Sequence, residues 1–197
     1  MAEKSYRAAT GVDEFYYGKL AGETNAVTEV ERVKYLQNIS VEMPQEIVKA
    51  HGDNKVAELA VSNGDITVSS QFHTLPIEDK QALLGYEVVD GITAAGGTDI
   101  SPYVAVVFAK THEDGSREYV GLPKGMFTRP SIEGQTKEDG VEFSNETIEA
   151  QFIDRKVDGF TDEKSVLFAA DAKGETTNRD ALFLKVFGIA HPDALGA

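Results

Sequence analysis

The chain has 197 residues and no cysteine, so it can form no disulfide, no thiolate metal site and no cysteine nucleophile. Hydrophobic residues make up 41%, enough for a real core and too many for a disordered chain. Its 19 Lys and Arg against 33 Asp and Glu leave a net charge of −14. The cations stand apart (Lys34, Lys49, Lys110, Lys124, Arg129), which excludes a tight grip on nucleic acid through phosphates.

No apolar run approaches the roughly 20 residues that cross a bilayer. The opening MAEKSYRAATGVDE has no apolar signal segment, so the expected place of synthesis and residence is a cytoplasm. The length suits a single domain over 1–197, with an N-terminal arm over about 1–12. The first strand is expected at Phe15 to Leu20 in GVDEFYYGKL. From Arg32 to Met43 the alternation is long, with Val33, Tyr35, Gln37, Ile39, Val41 and Met43 on one face. PQEIVKAHGDNK, about residues 44–55, reads as a long inter-strand loop before an extended Val56 to Val61. Hairpin loops usually have about 2–5 residues, so one this long suggests function, and its Ile47 and Val48 suit burial better than water.

GDITVSSQFH, residues 64–73, gives the cleanest strand signal: Ile66, Val68 and Phe72 on one face, Thr67, Ser69, Gln71 and His73 on the other. LPIEDKQALLGY reads as a short helix, with Pro76, Glu78 and Asp79 suiting its start and Gly85 its stop. GITAAGGTDISP, residues 91–102, is expected to be a flexible connector. A hairpin follows in PYVAVVFAKTHEDGSREYVGLPKGMF, turning at His112 to Ser116. Its first arm, 103–109, is apolar on both faces and must be covered twice, by this chain or by another molecule. Glu146 to Ile153 alternates Ile148, Ala150 and Phe152 with Thr147, Glu149 and Gln151. NRDALFLKVFG reads as a helix capped by Asn178 and ended by Gly188, with a strand as the rival reading. HPDALGA, within about 189–197, is expected to be a loose tail.

Motifs for chemistry are absent from this sequence. His51, His73, His112 and His191 are widely separated and read as ordinary surface or strand histidines. Asp154, Asp158, Asp162 and Glu163 do not match a calcium loop, and Arg155 and Lys156 sit among them, so a charged turn is the better reading. AAGGTD is neither a phosphate loop nor a dinucleotide fingerprint, and no serine sits in a nucleophile elbow. No cofactor is expected, and a structural or interaction role is favoured over an enzyme.

Several of these stretches, in this order, give the chain a resemblance. GVDEFYYGKL, AHGDNKVAELAVSNGDITVSSQF, LPIEDKQALLGY, the 102–127 hairpin, IEAQFIDRKVDG and ALFLKVFG span most of residues 11–188. The chain resembles the major tail tube proteins of long, non-contractile-tailed phages (siphophages) of Gram-positive hosts. The resemblance implies a mainly β fold: an antiparallel β-sandwich or split barrel, one flanking short helix, and a C-terminal helix if 178–188 is helical. It also implies hexameric rings stacking into a hollow tube through which viral DNA is ejected. Expected partners are the chain itself, the tape measure protein, and the distal tail and tail terminator proteins, with no membrane and no specific DNA contact; the expected place is the virion tail.

In that reading Glu46, Ile47, Val48, His51, Asp53 and Asn54 form the ring-stacking loop. Thr67, Ser69, Gln71, Thr147, Glu149 and Gln151 are the lumen-facing candidates. Two alternatives remain: a bacterial secretion-tube protein of the same fold, and a β-barrel module for a small ligand or carbohydrate. The module would need aromatics at a barrel mouth, and Tyr6, Tyr16, Tyr17 and Tyr35 are the only candidates in a chain without Trp.

Overall fold

A computed structural model describes residues 8–22, 26–52, 55–132 and 145–195. Its first three strands are β1 (Ala9–Ala21), β2 (Ala26–Val33) and β3 (Leu36–Glu42). The 32–43 alternation is therefore broken, because Tyr35 takes a left-handed φ of 64° that an extended strand cannot hold. Residues 9–12, expected in an N-terminal arm, belong to β1; residues 1–7 lie outside the described residues.

The stretch expected to be a loop is not one. Gln45–Gly52 and Lys55–Asn63 are strands β4 and β5, paired as a two-stranded sheet of their own. Then come β6 (Ile66–Phe72), α1 (Ile77–Leu84), and a small hairpin of β7 (Glu87–Val89) with β8 (Ile92–Ala94), whose second strand lies inside the stretch expected to be a flexible connector. Strands β9 (Val104–His112) and β10 (Arg117–Phe127) form the expected hairpin, and β11 (Glu146–Phe152) follows where the alternation puts it. β12 (Leu167–Asp171) has no counterpart in the sequence reading, and α2 (Thr177–Phe187) is helix rather than the rival strand.

Among the described residues, eight strands form one antiparallel sheet in the order β2–β1–β9–β10–β11–β6–β3, with β12 added on β10. β10 turns the corner: its first part pairs with β9 and β12, and its end, Gly125 to Phe127, pairs with β11. The sheet curls until β1 and β3 approach each other, giving a mainly β, split-barrel architecture.

Inside the curl, Phe15, Phe72, Val106, Phe108, Ile148 and Phe152 pack into one core, with Leu83 and Leu84 of α1. The other face of β9, made of Ala105, Val107 and Ala109, lies under Leu182, Phe183 and Val186 of α2. Both apolar faces of this strand are thus covered by the chain itself. Close approach of the helix needs small residues beneath it: a Cβ on Gly121 would stand 2.6 Å from Val186 Cγ2.

α2 is held at both ends. The Asp171 carboxylate accepts the amides of Asn178 (3.0 Å) and Arg179 (2.8 Å), so the cap comes from β12 and not from Asn178. At the other end Arg155 donates to the carbonyls of Val186 (2.7 Å), Lys185 (3.2 Å) and Pro123 (2.8 Å). An anion at the N-terminus and a cation at the C-terminus both favour the helix dipole.

The tail is not loose either. Pro192–Leu195 is a 3-10 turn, and His191 is fully buried against Tyr16 and Phe183, unlike a surface or strand histidine. Residues 196–197 lie outside the described residues.

Candidate assembly surfaces

β6 lies between β3 and β11, and the registers fix which side chains share its outer face. Thr147 pairs with Gln71, Glu149 with Ser69, and Gln151 with Thr67. On the other side Asn38 pairs with Gln71, Ser40 with Ser69, and Glu42 with Thr67. Residues directly opposite in an antiparallel pair point the same way. All six of the sequence-derived polar candidates therefore stand on one continuous face, and Asn38, Ser40 and Glu42 extend it by a third strand. These three alternate with Ile39 and Val41 in sequence, but only the pairing with β6 reveals their place.

This nine-residue face carries two carboxylates, Glu42 and Glu149, and no Lys or Arg. Its underside is mainly apolar: Val68, Ile148, Ala150 and Phe152 are buried there, with Ser70 among them. Among the described residues β3 is one edge of the sheet, with β2 at the other end of the strand order. An unpaired edge is a template for another strand.

At the upper end of this face, Glu146 accepts from the Leu75 amide (2.8 Å) and Lys80 Nζ (2.9 Å), tying α1 to the end of β6 and the start of β11. Partial burial alone would raise the Glu146 pKa, but these two hydrogen bonds and the lysine charge outweigh it and hold the carboxyl below its ordinary value.

The β4–β5 arm leaves from the opposite end. Its base is pinned where the Gly64 amide donates to the Pro44 carbonyl at 2.9 Å. A Cβ on Gly64 would come 2.8 Å from Pro44 Cγ, so the glycine permits the crossing. Ile47 faces Val61 and Lys49 faces Leu59, which puts these four on one side; Glu46 with Ser62 and Val48 with Ala60 take the other. Ile47, Val48, Leu59 and Val61 are between 54% and 63% exposed. Of the expected stacking residues, Glu46, Ile47, Val48 and the backbone of His51 lie in β4, while Asp53 and Asn54 lie outside the described residues. Nothing in the sequence distinguishes Leu59 and Val61, since Val56 to Val61 has the pattern of an ordinary sheet strand.

Tyr16 and Tyr17, neighbours on β1, are buried on opposite faces in separate clusters, and Tyr35 is exposed. They do not meet at a barrel mouth, and Tyr6 lies outside the described residues. In the 154–163 turn Lys156 Nζ donates to the carbonyls of Phe160 (3.0 Å) and Thr161 (2.6 Å).

A family model described as phage tail tube protein matches residues 36–193. Among solved structures, the chain is similar to one in the cryo-EM structure of the anti-feeding prophage baseplate, 6-fold symmetrised. That likeness has 8% identity and a TM-score of 0.47, covering 84% of this chain and 97% of that one. No curated protein matches the chain.

Proposed function

Because the chain belongs to the phage tail tube protein family, we infer that this structural tail component forms hexameric rings that stack into a hollow tube for viral DNA. The observation that carries this reading is the cation-free polar face across β3, β6 and β11. Facing inward, it gives a water-filled channel a wall of hydroxyls, amides and carboxylates. Phosphates passing such a wall meet no cation to hold them. At about 0.15 M salt the Debye length is about 8 Å, so the carboxylates act only on backbone that drifts near the wall.

Ring formation joins the β3 edge to a neighbouring subunit and removes the edge-pairing hazard. Stacking is assigned to the β4–β5 arm. A lone two-stranded hairpin is marginal in water, and its exposed Ile, Leu and Val side chains gain most from cover by another copy. The order of matching stretches in the sequence supports the narrower assignment to long non-contractile tails of phages infecting Gram-positive hosts. Tape measure, distal tail and tail terminator proteins are then its partners in the virion.

Negative-stain electron microscopy across a range of protein and salt concentrations tests the reading. Rings or hollow tubes with a central channel are expected; solid fibres, or monomers under every condition, would contradict it.

A further inference from the structure

The molecule exposes a second group of apolar side chains, far from the arm. Val89 and Ile92 face each other across the β7–β8 hairpin, as do Glu87 and Ala94, so these four share one side. The opposite side holds Thr93, whose hydroxyl accepts from Gln81 Nε2 of α1 at 2.7 Å. The Val89–Ile92 side is therefore turned away from α1. Val89 is 57% and Ile92 71% exposed. The hairpin, EVVDGITA, contains Glu87 and Asp90 and no lysine or arginine.

We propose that this outer face of β7–β8 is the seat for the β4–β5 arm of a second copy of the chain. The inference rests on the tail tube reading and names the two surfaces that meet. Two observations select the occupant. The first is placement: the arm leaves from the start of β6, whereas α1, which carries the β7–β8 hairpin, is tethered to the end of β6 by Glu146. Seven residues of strand set these ends roughly 23 Å apart. Apolar surfaces at opposite ends of one subunit can meet in a heterologous contact, and one directed along the line between those ends repeats as a stack and does not close into a ring. The second is charge. The arm side with Ile47, Leu59 and Val61 carries Lys49 and no acid, which complements a seat holding Glu87 and Asp90. The arm's other side carries Glu46 and Glu58, which the same seat would repel.

The absence of native cysteine makes the test direct. Val61→Cys and Ile92→Cys variants, each at an exposed position, are mixed under assembly conditions and mildly oxidised. Cross-linked dimers containing one of each chain are expected, with little cross-linking of either variant alone; a chain carrying both substitutions should give a ladder of oligomers. Tubes seen by electron microscopy without the mixed cross-link, or with Val61→Cys joined only to itself, would overturn the seat and leave the tube reading standing. Protein that never assembles would overturn both. As a second arm of the test, Ile92→Lys is expected to raise the concentration at which tubes appear about ten-fold or more. Adding Lys49→Glu should recover part of that loss; equal loss with and without it would count against the pairing.

Discussion

Glu149 on β11 stands directly opposite Ser69 on β6, and Ser69 in turn faces Ser40 on β3. The Glu149 side chain is exposed, and it is the backbone carbonyl that accepts from the Thr128 amide at 2.8 Å, while the neighbours Ile148 and Ala150 are buried. The polar face is thus free to vary without disturbing the core beneath it. Glu149→Lys should leave folding within about 0.5 kcal/mol of the parent and tubes intact. In a ring it places a cation from every subunit in the channel, and DNA exit should slow or stall. Normal ejection from such particles would remove this face from the lumen.

The arm predicts a separation of folding from assembly. Its sheet is independent of the main one. Replacing residues 45–63 with a short Gly-Ser link should leave a soluble monomer with an unchanged thermal transition and no tubes. Tubes from that variant would show that stacking uses another surface.

Gly121 is the point where α2 sits closest to the sheet. Gly121→Ala puts a methyl 2.6 Å from Val186 Cγ2 and 3.2 Å from Leu182 Cδ1, both buried. Overpacking of this kind costs about 1–3 kcal/mol. At about 2–4 °C per kcal/mol for a chain this size, calorimetry should record a drop of several degrees.

Asp171→Ala removes the acceptor for two amides of α2 and should cost about 1–2 kcal/mol. Asp171→Asn keeps one side-chain oxygen and should recover part of the loss. Equal destabilisation by the two would mean that the carboxylate matters for something other than capping.

His191 predicts a pH dependence. Burial, and then the Arg179 charge, depress its pKa, against the opposing pull of Asp193, Glu14 and Asp180. The Asp193 amide donates to its Nδ1 at 3.1 Å, a bond that protonation of this nitrogen would break. In the unfolded chain the imidazole takes a proton near the ordinary value of 6.5, while the folded form resists until lower pH. Stability should therefore fall as pH drops below about 6.5. The Glu146 contribution is lost in a separate window, below the ordinary carboxylate value of 4.5. Denaturant titrations at pH 7.5 and 5.5 should show the loss in the parent and a smaller one in His191→Phe.

The sequence by itself determined what depends on alternation, composition and local stop signals. β6 and β11 were legible because their apolar side chains repeat with a period of two, β9 and β10 because apolar runs flank the turn at His112 to Ser116, and α1 because Pro76 and Gly85 bracket it. The polar candidates on β6 and β11 followed from the same period. Only the tertiary structure decided which strands are neighbours: alternation says that Thr67 and Glu149 are outward, but pairing joins them with Asn38, Ser40 and Glu42 into one face. It also turned the stretch around Ile47 into a hairpin arm, since strand propensity there is satisfied by β5 and not by the main sheet. β12, Asp171 and His191 escaped the sequence because five residues are too few to show a period, and a cap or a buried imidazole is made by distant chain. Local pattern fixes which way a side chain points; long-range pairing fixes what it meets.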